Sequence, residues 1–211
     1  LVHGAWHNAT CWDGVAAELL MHGRDVTAVQ LPFEGFASDV AAARRAIEKA
    51  GDQVVVVGHS YGGEVISAAA SGATNVARLI YVAAFMIESA DEMAEVMVGS
   101  PLMDALITEG DMTRVDPENA GFIFYGDSDL ETAERLTSEL RPMKLDGVTA
   151  DGEPAWRTIP ASYLICTDDR ALLPAAQRRM AERAEEVWEW ETDHSPFVTR
   201  PKELAELITK Y

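Results

Sequence analysis

The stretch that decides the fold is QVVVVGHSYGG, residues 53–63. Its four consecutive valines, stopped by a glycine, predict a parallel strand that is buried on both faces. The run of small residues that follows, EVISAAA at 64–70, predicts a helix. The pentapeptide GHSYG at 58–62 lies between them and has the Gly-x-Ser-x-Gly spacing of a nucleophile elbow, a sharp turn that exposes a serine.

A turn this tight places demands on its residues. Ser60 is expected to adopt strained backbone angles, and Gly58 and Gly62 lack the Cβ atoms that would keep the strand and the helix apart. The Ser60 hydroxyl would then stand at the start of a helix whose free N–H groups face any oxyanion. An ordinary glycine-rich turn is the alternative, so the rest of the chain has to supply a base, an acid and a second oxyanion donor.

The composition narrows the class of protein. The 211 residues predict one domain with room for an insertion, and 48% hydrophobic with 25% charged residues is ordinary for a globular protein. A formal charge of −18 argues against nucleic acid and anionic membranes as partners. No apolar run reaches the length of a membrane span and nothing resembles a signal peptide, although the chain opens at Leu1 and residues before it are expected to be missing.

The cysteines point to a reducing environment. Cys11 and Cys166 are far apart in sequence and form neither a disulfide scaffold nor a metal-type Cys/His spacing. A cytoplasmic location is therefore expected.

Strands and helices alternate along most of the chain. Helices are predicted at 11–23, at 38–50 with Ser38 as N-cap, at 174–184 and at 201–211. Strands are predicted at the first residues and at 25–31, 76–84, 161–167 and 186–191. The alternation predicts an α/β fold with a mostly parallel sheet and helices on both faces.

Residues 88–152 break this alternation and are expected to form a small, mainly helical cap between two core parts, 1–87 and 153–211. Helical pieces are predicted at 91–98, 101–109 and 130–140. Six of the eight methionines lie between Met86 and Met143, which suits a flexible lid over an apolar pocket, with core filling as the alternative. The candidates for lining that pocket are Trp6, Met86, Met97, Met103 and Phe124.

A nucleophilic serine needs a base in contact and a group that orients the base. His194 lies in the loop after the last strand, where functional groups collect in parallel sheets, and it comes last in the chain order serine, acid, histidine. The acid should follow the preceding strand, which leads into the adjacent carboxylates Asp168 and Asp169. Weaker candidates for the acid are Asp193, Glu88 and Asp91.

An oxyanion hole needs two backbone N–H groups. One would come from Tyr61, the residue after the candidate nucleophile. The other would come from the loop after the first strand, His3-Gly4-Ala5-Trp6, in which Ala5 is the expected donor.

These motifs resemble those of a known family. LVHGAWHNATCW, VVVVGHSYGGEVI, YVAAF, FYGDSDLETAERLTSELRPM, SYLICTDDRALLPAAQRRM and DHSPF are similar to the α/β-hydrolase family of plant methylesterases and hydroxynitrile lyases with their bacterial esterase relatives. The resemblance covers nearly the whole chain, the cap included. It implies an α/β-hydrolase fold and an esterase of Ser-His-Asp type that needs no metal or organic cofactor. It also implies Asp169 rather than Asp168 as the acid, and Ala5 and Tyr61 as the oxyanion donors.

Two departures from the resemblance bear on the reaction. The hydroxynitrile-lyase branch carries a lysine directly after the catalytic histidine and a threonine before the oxyanion-hole residue, where this chain has Ser195 and Gly4. Both departures favour ester hydrolysis over cyanohydrin cleavage. The expected reaction is hydrolysis of a small methyl- or aryl-type ester by Ser60, His194 and Asp169. The alternatives are a hydroxynitrile lyase or cofactor-free tailoring enzyme on the same scaffold, and a non-catalytic small-molecule receptor. The expected partner is a small-molecule ester, with a homodimer as the option for self-association.

Overall fold

The structure, a computed structural model, describes residues 1–146 and 152–211. Its strands are β1 (Val54–His59), β2 (Val76–Val82), β3 (Leu106–Glu109), β4 (Met112–Val115), β5 (Met143–Lys144), β6 (Ala161–Cys166) and β7 (Glu186–Trp190). Its helices are α1 (Asp13–Met21), α2 (Phe36–Lys49), α3 (Tyr61–Ala69), α4 (Ala90–Val96), α5 (Pro101–Asp104), α6 (Pro117–Phe124), α7 (Leu130–Ser138), α8 (Pro174–Ala181), α9 (Pro196–Thr199) and α10 (Pro201–Ile208). Short 3-10 turns lie at Ala9–Trp12 and Ala155–Arg157.

The central sheet is parallel, with the strand order β1-β2-β6-β7. The carboxyl ends of these strands lie at one edge of the sheet, and the loops that follow them carry Ser60, Asp169 and His194. The mostly parallel sheet predicted from the alternating pattern is confirmed.

Both faces of the sheet are buried, as the unbroken valine run predicts. Val56 of β1 packs into a core with α2, α3 and residues 88–146, which are called the cap below. Val57, the next residue, points to the opposite face and packs in a cluster with Trp12 of the turn before α1, Phe197 of α9 and Leu204 of α10. Successive strand residues alternate between faces, so this division shows why neither position tolerates a polar residue.

Two strands predicted before the elbow are reduced to isolated bridges. Val2 pairs in parallel with both Gly58 and Val29, and its carbonyl accepts a hydrogen bond from the His59 N–H at 3.0 Å. Pairing stops there, and the chain turns at Ala5 and Trp6, where the His7 N–H donates to the Gly4 carbonyl at 3.3 Å. The segment still lies beside β1, and this is what brings the first loop to the elbow.

Helix α2 begins at Phe36, and Ser38 is not its N-cap. The Ser38 hydroxyl donates back to the Gly35 carbonyl, and the N-cap position belongs to Gly35 at φ 131°. The free Phe36 N–H donates instead to the carboxylate of Asp146 at 2.9 Å. A carboxylate more than one hundred residues away supplies the cap, so the local pattern could not reveal it.

The cap contains a small sheet that the sequence reasoning missed. Strands β3, β4 and β5 are antiparallel, and Glu109 pairs with Met112 across a two-residue turn in which Gly110 has φ 67°. The helix predicted over 101–109 is therefore wrong after Asp104, since the left-handed glycine lets the chain fold back as a hairpin. Helices α4 and α7 lie where helical pieces were predicted, and residues 147–151 of the predicted cap lie outside the described residues. None of the described helices is both long enough and apolar enough to cross a membrane.

Candidate active site

Ser60 stands on a strained turn between β1 and α3. Its backbone angles are φ 52° and ψ −123°, in a region that residues with a Cβ rarely adopt. The glycines around it are in close contact with other backbone: a Cβ on Gly58 would lie 2.6 Å from the Gly62 carbonyl oxygen, and a Cβ on Gly62 would lie 2.6 Å from that of Val2. The turn therefore has the strained serine and the close approach expected of a nucleophile elbow.

His194 and Asp169 form a buried pair. The Nδ1 of His194 lies 2.6 Å from Oδ2 of Asp169, and both side chains are almost fully buried. The Asp169 carboxylate also accepts hydrogen bonds from the backbone N–H groups of Ala171 (2.7 Å) and Leu172 (2.9 Å) and from Nε2 of Gln177 (2.8 Å). Four donors hold this carboxylate, which fixes its orientation towards the imidazole.

The other acids considered from the sequence lie in different surroundings. Asp168 is exposed, and its backbone N–H donates to the Thr192 carbonyl. Glu88 is exposed and forms an ion pair with Arg157 at 3.0 Å, and Asp91 is exposed at the start of α4. None of these carboxylates takes part in a hydrogen bond with the His194 ring in the described part of the chain.

Asp193 is buried, and its carboxylate accepts hydrogen bonds from two backbone N–H groups, one in its own loop and one in the cap. Its Oδ1 accepts from the Ser195 N–H at 2.8 Å, and its Oδ2 accepts from the Asp127 N–H at 2.9 Å. In return, Oδ2 of Asp127 accepts from the Asp193 N–H at 2.7 Å. This reciprocal pair ties the loop that carries His194 to the cap.

His59, the residue before Ser60, contacts His194. Nε2 of His59 donates to the carbonyl of His194 at 2.9 Å, and the two ring centroids are 4.5 Å apart. The Ser60 hydroxyl itself has no hydrogen bond to any residue in 1–146 or 152–211. A hydrogen bond between a nucleophile and its base often forms only once substrate is bound.

The first loop lies against the serine. A Cβ on Gly4 would lie only 2.9 Å from the Cβ of Ser60, so no larger residue fits without a shift. The next residue, Ala5, is buried, and neither its N–H nor that of Tyr61 donates a hydrogen bond to any described residue. These two N–H groups are therefore available to a negatively charged oxygen beside Ser60.

Four histidines lie buried around this loop and the elbow: His3, His7, His59 and His194. Burial lowers the pKa of His3 to about 4 and that of His7 to about 3, and it holds the pKa of His59 well below its usual range. These three rings are accordingly neutral near pH 7. They can act as oriented hydrogen-bonding groups and not as cations.

The Tyr61 side chain fixes the start of α3. Its hydroxyl donates to Oδ2 of Asp39 at 2.8 Å, and Oδ1 of Asp39 accepts from the Phe33 N–H at 2.8 Å. Burial raises the pKa of the Asp39 carboxyl, and the hydrogen bonds from Phe33 and Tyr61 oppose that shift. The backbone N–H of Tyr61 is thus held in place by its own side chain.

The structure brings two of the five predicted pocket residues to the site. Phe124 is buried with its ring 5.7 Å from that of His194 and 6.4 Å from that of Trp6. Met86 is fully buried with its N–H facing Sδ of Met180, Met97 is partly buried, and Met103 is 50% exposed. A cleft of about 1080 Å³ in the cap is lined by residues such as Phe122, Tyr125 and Arg141, but not by Ser60 or His194.

Comparison with known proteins agrees with this geometry. A family model described as "Alpha/beta hydrolase family" matches residues 1–207. The chain belongs to the α/β-hydrolase family. The resemblance predicted from its motifs is confirmed.

Relatives of this α/β-hydrolase match along nearly its whole length. Alpha/beta hydrolase nvfD of Aspergillus novofumigatus is 28% identical over 233 residues, covering 99% of this chain and 93% of the relative. Methylesterase 7 of Arabidopsis thaliana is 28% identical over 242 residues with the same coverage. A solved pyrethroid hydrolase superposes with a TM-score of 0.83 at 25% identity, covering 99% of this chain and 94% of that one.

Three residues of this α/β-hydrolase site were missed from the sequence. Gln177 holds Asp169 from α8, and Tyr125 and Asp127 reach from the cap to His7 and Asp193. Tyr125 and Asp127 lie within FYGDSDLETAERLTSELRPM, one of the stretches that carry the family resemblance, so that likeness was a signal. Gln177 lies within SYLICTDDRALLPAAQRRM, another of those stretches, so the same likeness was its signal.

Proposed function

We propose that this α/β-hydrolase cleaves a small carboxylic ester through an acyl-enzyme formed on Ser60. The observation that carries the proposal is the buried 2.6 Å contact between Nδ1 of His194 and Oδ2 of Asp169, with the His194 ring 4.5 Å from that of His59, the residue before a serine held at φ 52°. An imidazole oriented in this way presents Nε2 as a base. The names of the relatives, a methylesterase and a pyrethroid hydrolase, agree with ester hydrolysis.

The first half of the reaction forms the acyl-enzyme. Ser60 Oγ attacks the ester carbonyl carbon while His194 Nε2 takes the hydroxyl proton. Asp169 stabilises the resulting imidazolium and keeps Nδ1 protonated. The tetrahedral intermediate collapses when His194 returns the proton to the leaving alcohol.

The second half repeats these roles with water. His194 removes a proton from water, which attacks the acyl carbonyl and releases the carboxylic acid and Ser60. In both halves the carbonyl oxygen becomes an anion, and the N–H groups of Ala5 and Tyr61 are the donors that stabilise it. One such donor contributes about 3–4 kcal/mol to the transition state.

The proposed substrate is a small ester of methyl or aryl type. The ring of Phe124 lies next to that of His194, and the ring of Trp6 lies next to that of Phe124, so the two rings are the flat apolar surfaces proposed to face an acyl or alcohol group. Their aromatic rings favour an apolar group at the reacting carbonyl over a charged one.

The test compares Ser60→Ala with Ser67→Ala on a panel of methyl and nitrophenyl esters that vary in acyl and alcohol size. Ser67 lies on the same helix, and its hydroxyl bonds the Gly63 carbonyl and the Tyr81 hydroxyl. Ser60→Ala is expected to abolish hydrolysis with an unchanged circular dichroism spectrum, whereas Ser67→Ala keeps most of it. A fluorophosphonate should label the wild type on Ser60, as read by peptide mass spectrometry.

Hydrolysis that persists in pure Ser60→Ala would rule out the acyl-enzyme. Cyanide release from mandelonitrile at a rate above that of ester hydrolysis would instead identify a lyase. Ligand-induced stabilisation with no turnover of any substrate would identify a receptor.

A further inference from the structure

Two buried imidazoles hold the peptide groups on either side of Ala5. The Gly4 carbonyl accepts from Nδ1 of His3 at 2.9 Å, and the Ala5 carbonyl accepts from Nδ1 of His7 at 2.7 Å. In a trans peptide the C=O and N–H point in opposite directions, so the bond to the Gly4 carbonyl sets the direction of the Ala5 N–H. The bond to the Ala5 carbonyl fixes the next peptide plane, and the backbone of Ala5 is constrained from both sides.

The partners of each ring determine its tautomer. A carbonyl oxygen only accepts, so Nδ1 of His3 and of His7 carries the proton. In a neutral ring the other nitrogen then has to accept. For His3 the donor to Nε2 is the backbone N–H of Leu31 at 3.1 Å, and for His7 it is the hydroxyl of Tyr125, also at 3.1 Å.

The groups that donate to Nε2 of the two histidines differ in kind. The donor to His3 is main chain of the core, which no side-chain substitution removes. The donor to His7 is a side chain that follows α6 in the cap, next to Phe124, whose ring packs against both His7 and His194. The Ala5 carbonyl requires the Nδ1–H tautomer of His7, and the Tyr125 hydroxyl satisfies Nε2 at the other end of the ring. Without that hydroxyl the buried Nε2 has no donor, and the ring is held at one end only.

We propose that Tyr125 is a positioning residue for the oxyanion hole: its hydroxyl holds the Nε2 end of the His7 ring, and the Nδ1–H of that ring then holds the Ala5 peptide in the orientation that stabilises the transition state. The chain of hydrogen bonds runs in one direction, from the Tyr125 O–H to Nε2 of His7 and from Nδ1–H of His7 to the Ala5 carbonyl. This inference rests on the proposed ester hydrolysis at Ser60. It assigns to the cap a direct influence on the chemistry as well as on substrate shape.

The central variant is Tyr125→Phe, which removes one oxygen atom. Its matched control is Tyr81→Phe, because Tyr81 is also buried and also bonded through its hydroxyl, to Ser67. Loss of an oxyanion donor outright costs about 10²–10³-fold in kcat, so misplacing one should cost less, about 3–30-fold. The loss should fall on kcat while KM stays within about twofold, since the donor acts on the transition state.

Two further readings separate positioning from stability. The affinity of a trifluoromethyl ketone, which forms a tetrahedral adduct on Ser60, should fall by the same factor as kcat in Tyr125→Phe and stay unchanged in Tyr81→Phe. Nitrogen-15 NMR of labelled histidine should show Nδ1–H for His7 in the wild type, and in Tyr125→Phe the Nε2 resonance of His7 should shift because it has lost its donor. In a His7→Asn background, whose side-chain amide donates without a tautomer, Tyr125→Phe should have little further effect on kcat.

The outcomes are distinct. A wild type that hydrolyses no ester defeats both this inference and the proposed function. A wild type that hydrolyses esters, with Tyr125→Phe equal to Tyr81→Phe in kcat and in ketone affinity, defeats the positioning role alone. An Nε2–H tautomer of His7 in the wild type also defeats it.

Discussion

Asp127 and Asp193 exchange hydrogen bonds through the same pair of atoms on each residue: each carboxylate Oδ2 accepts from the other residue's backbone N–H, at 2.7 Å and 2.9 Å. Asp127 belongs to the cap and Asp193 directly precedes His194. The loop that carries His194 is therefore joined to the cap by two hydrogen bonds between residues 66 positions apart in the sequence.

Removing the Asp127 carboxylate should make the position of His194 less well fixed. In Asp127→Ala the Asp193 N–H loses its acceptor, and a buried donor without a partner costs about 1–3 kcal/mol. We expect kcat to fall by about tenfold, because a small displacement of a positioned group carries a large rate penalty. Steady-state kinetics at a temperature well below the unfolding midpoint measures this effect.

The control is Asp129→Ala in the same segment. The Asp129 carboxylate caps α7 through the Thr132 N–H at 2.8 Å and has no hydrogen bond to the loops of the site in the described residues. It should lose about 1 kcal/mol of stability and little activity. Equal losses of activity in both variants would count against a specific role for Asp127.

The proposal that Asp169, and not Asp168, orients His194 can be tested by replacing each aspartate with asparagine. Asp169→Asn removes the charge opposite the imidazolium and should lower kcat on the order of 10³–10⁴-fold. Asp168→Asn changes an exposed side chain and should leave kcat within about twofold. If the two variants are equally impaired, Asp169 is not the orienting acid.

Glu64 should make stability fall as pH rises. Burial raises the pKa of its carboxyl to about 8, whereas in the unfolded chain it titrates near ~4.3. Between these values the folded state keeps a proton that the unfolded state has lost, so this group's contribution to the unfolding free energy decreases by up to ~1.4 kcal/mol per pH unit. Glu64→Gln removes the titration and should gain stability relative to the wild type as pH rises from 5 to 8 (about the limits of that window).

Urea unfolding at several pH values measures this difference, with Glu48→Gln as the control on an exposed helical glutamate. A difference between wild type and Glu64→Gln that does not change with pH would show that the Glu64 carboxyl is ionised in the folded state.

The buried imidazoles should produce the opposite trend in acid. His3 and His7 have pKa values of about 4 and about 3 in the folded state, lowered by burial, against ~6.5 in the unfolded chain. Their contribution to stability is complete above pH ~6.5 and is lost as pH falls towards 4, by up to ~1.4 kcal/mol per pH unit for each ring. The unfolding free energy of Glu64→Gln, in which the opposing titration of Glu64 is absent, should show this slope from pH 7 down to about 4.5.

His7→Asn should flatten that slope, since it removes one titrating ring and keeps a donor for the Ala5 carbonyl. His22→Gln changes an exposed histidine and should leave the slope as it is. An unchanged slope in His7→Asn would mean that His7 is protonated in the folded protein.

The core of the fold was predictable because its signals are local. The valine run of β1 and the glycines around Ser60 specify a buried strand and a tight turn, and a parallel sheet then places the following loops at one edge. The cap was less predictable, since the helix expected over 101–109 gave way to a hairpin at Gly110, and Phe36 is capped by the distant Asp146. The contacts of Gln177, Tyr125 and Asp127 depend on how separate segments meet, which no short window of sequence encodes.

The glycines of the elbow have a consequence for reading variant libraries. Gly58, Gly62 and Gly63 each abut the backbone of another segment, so any side chain there should prevent assembly of the protein altogether. Ser60 at the centre of the same motif should tolerate alanine without loss of folded protein. In a variant library scored for cellular abundance and for turnover, substitutions at these glycines should therefore lower abundance. Ser60→Ala should keep full abundance and lose turnover.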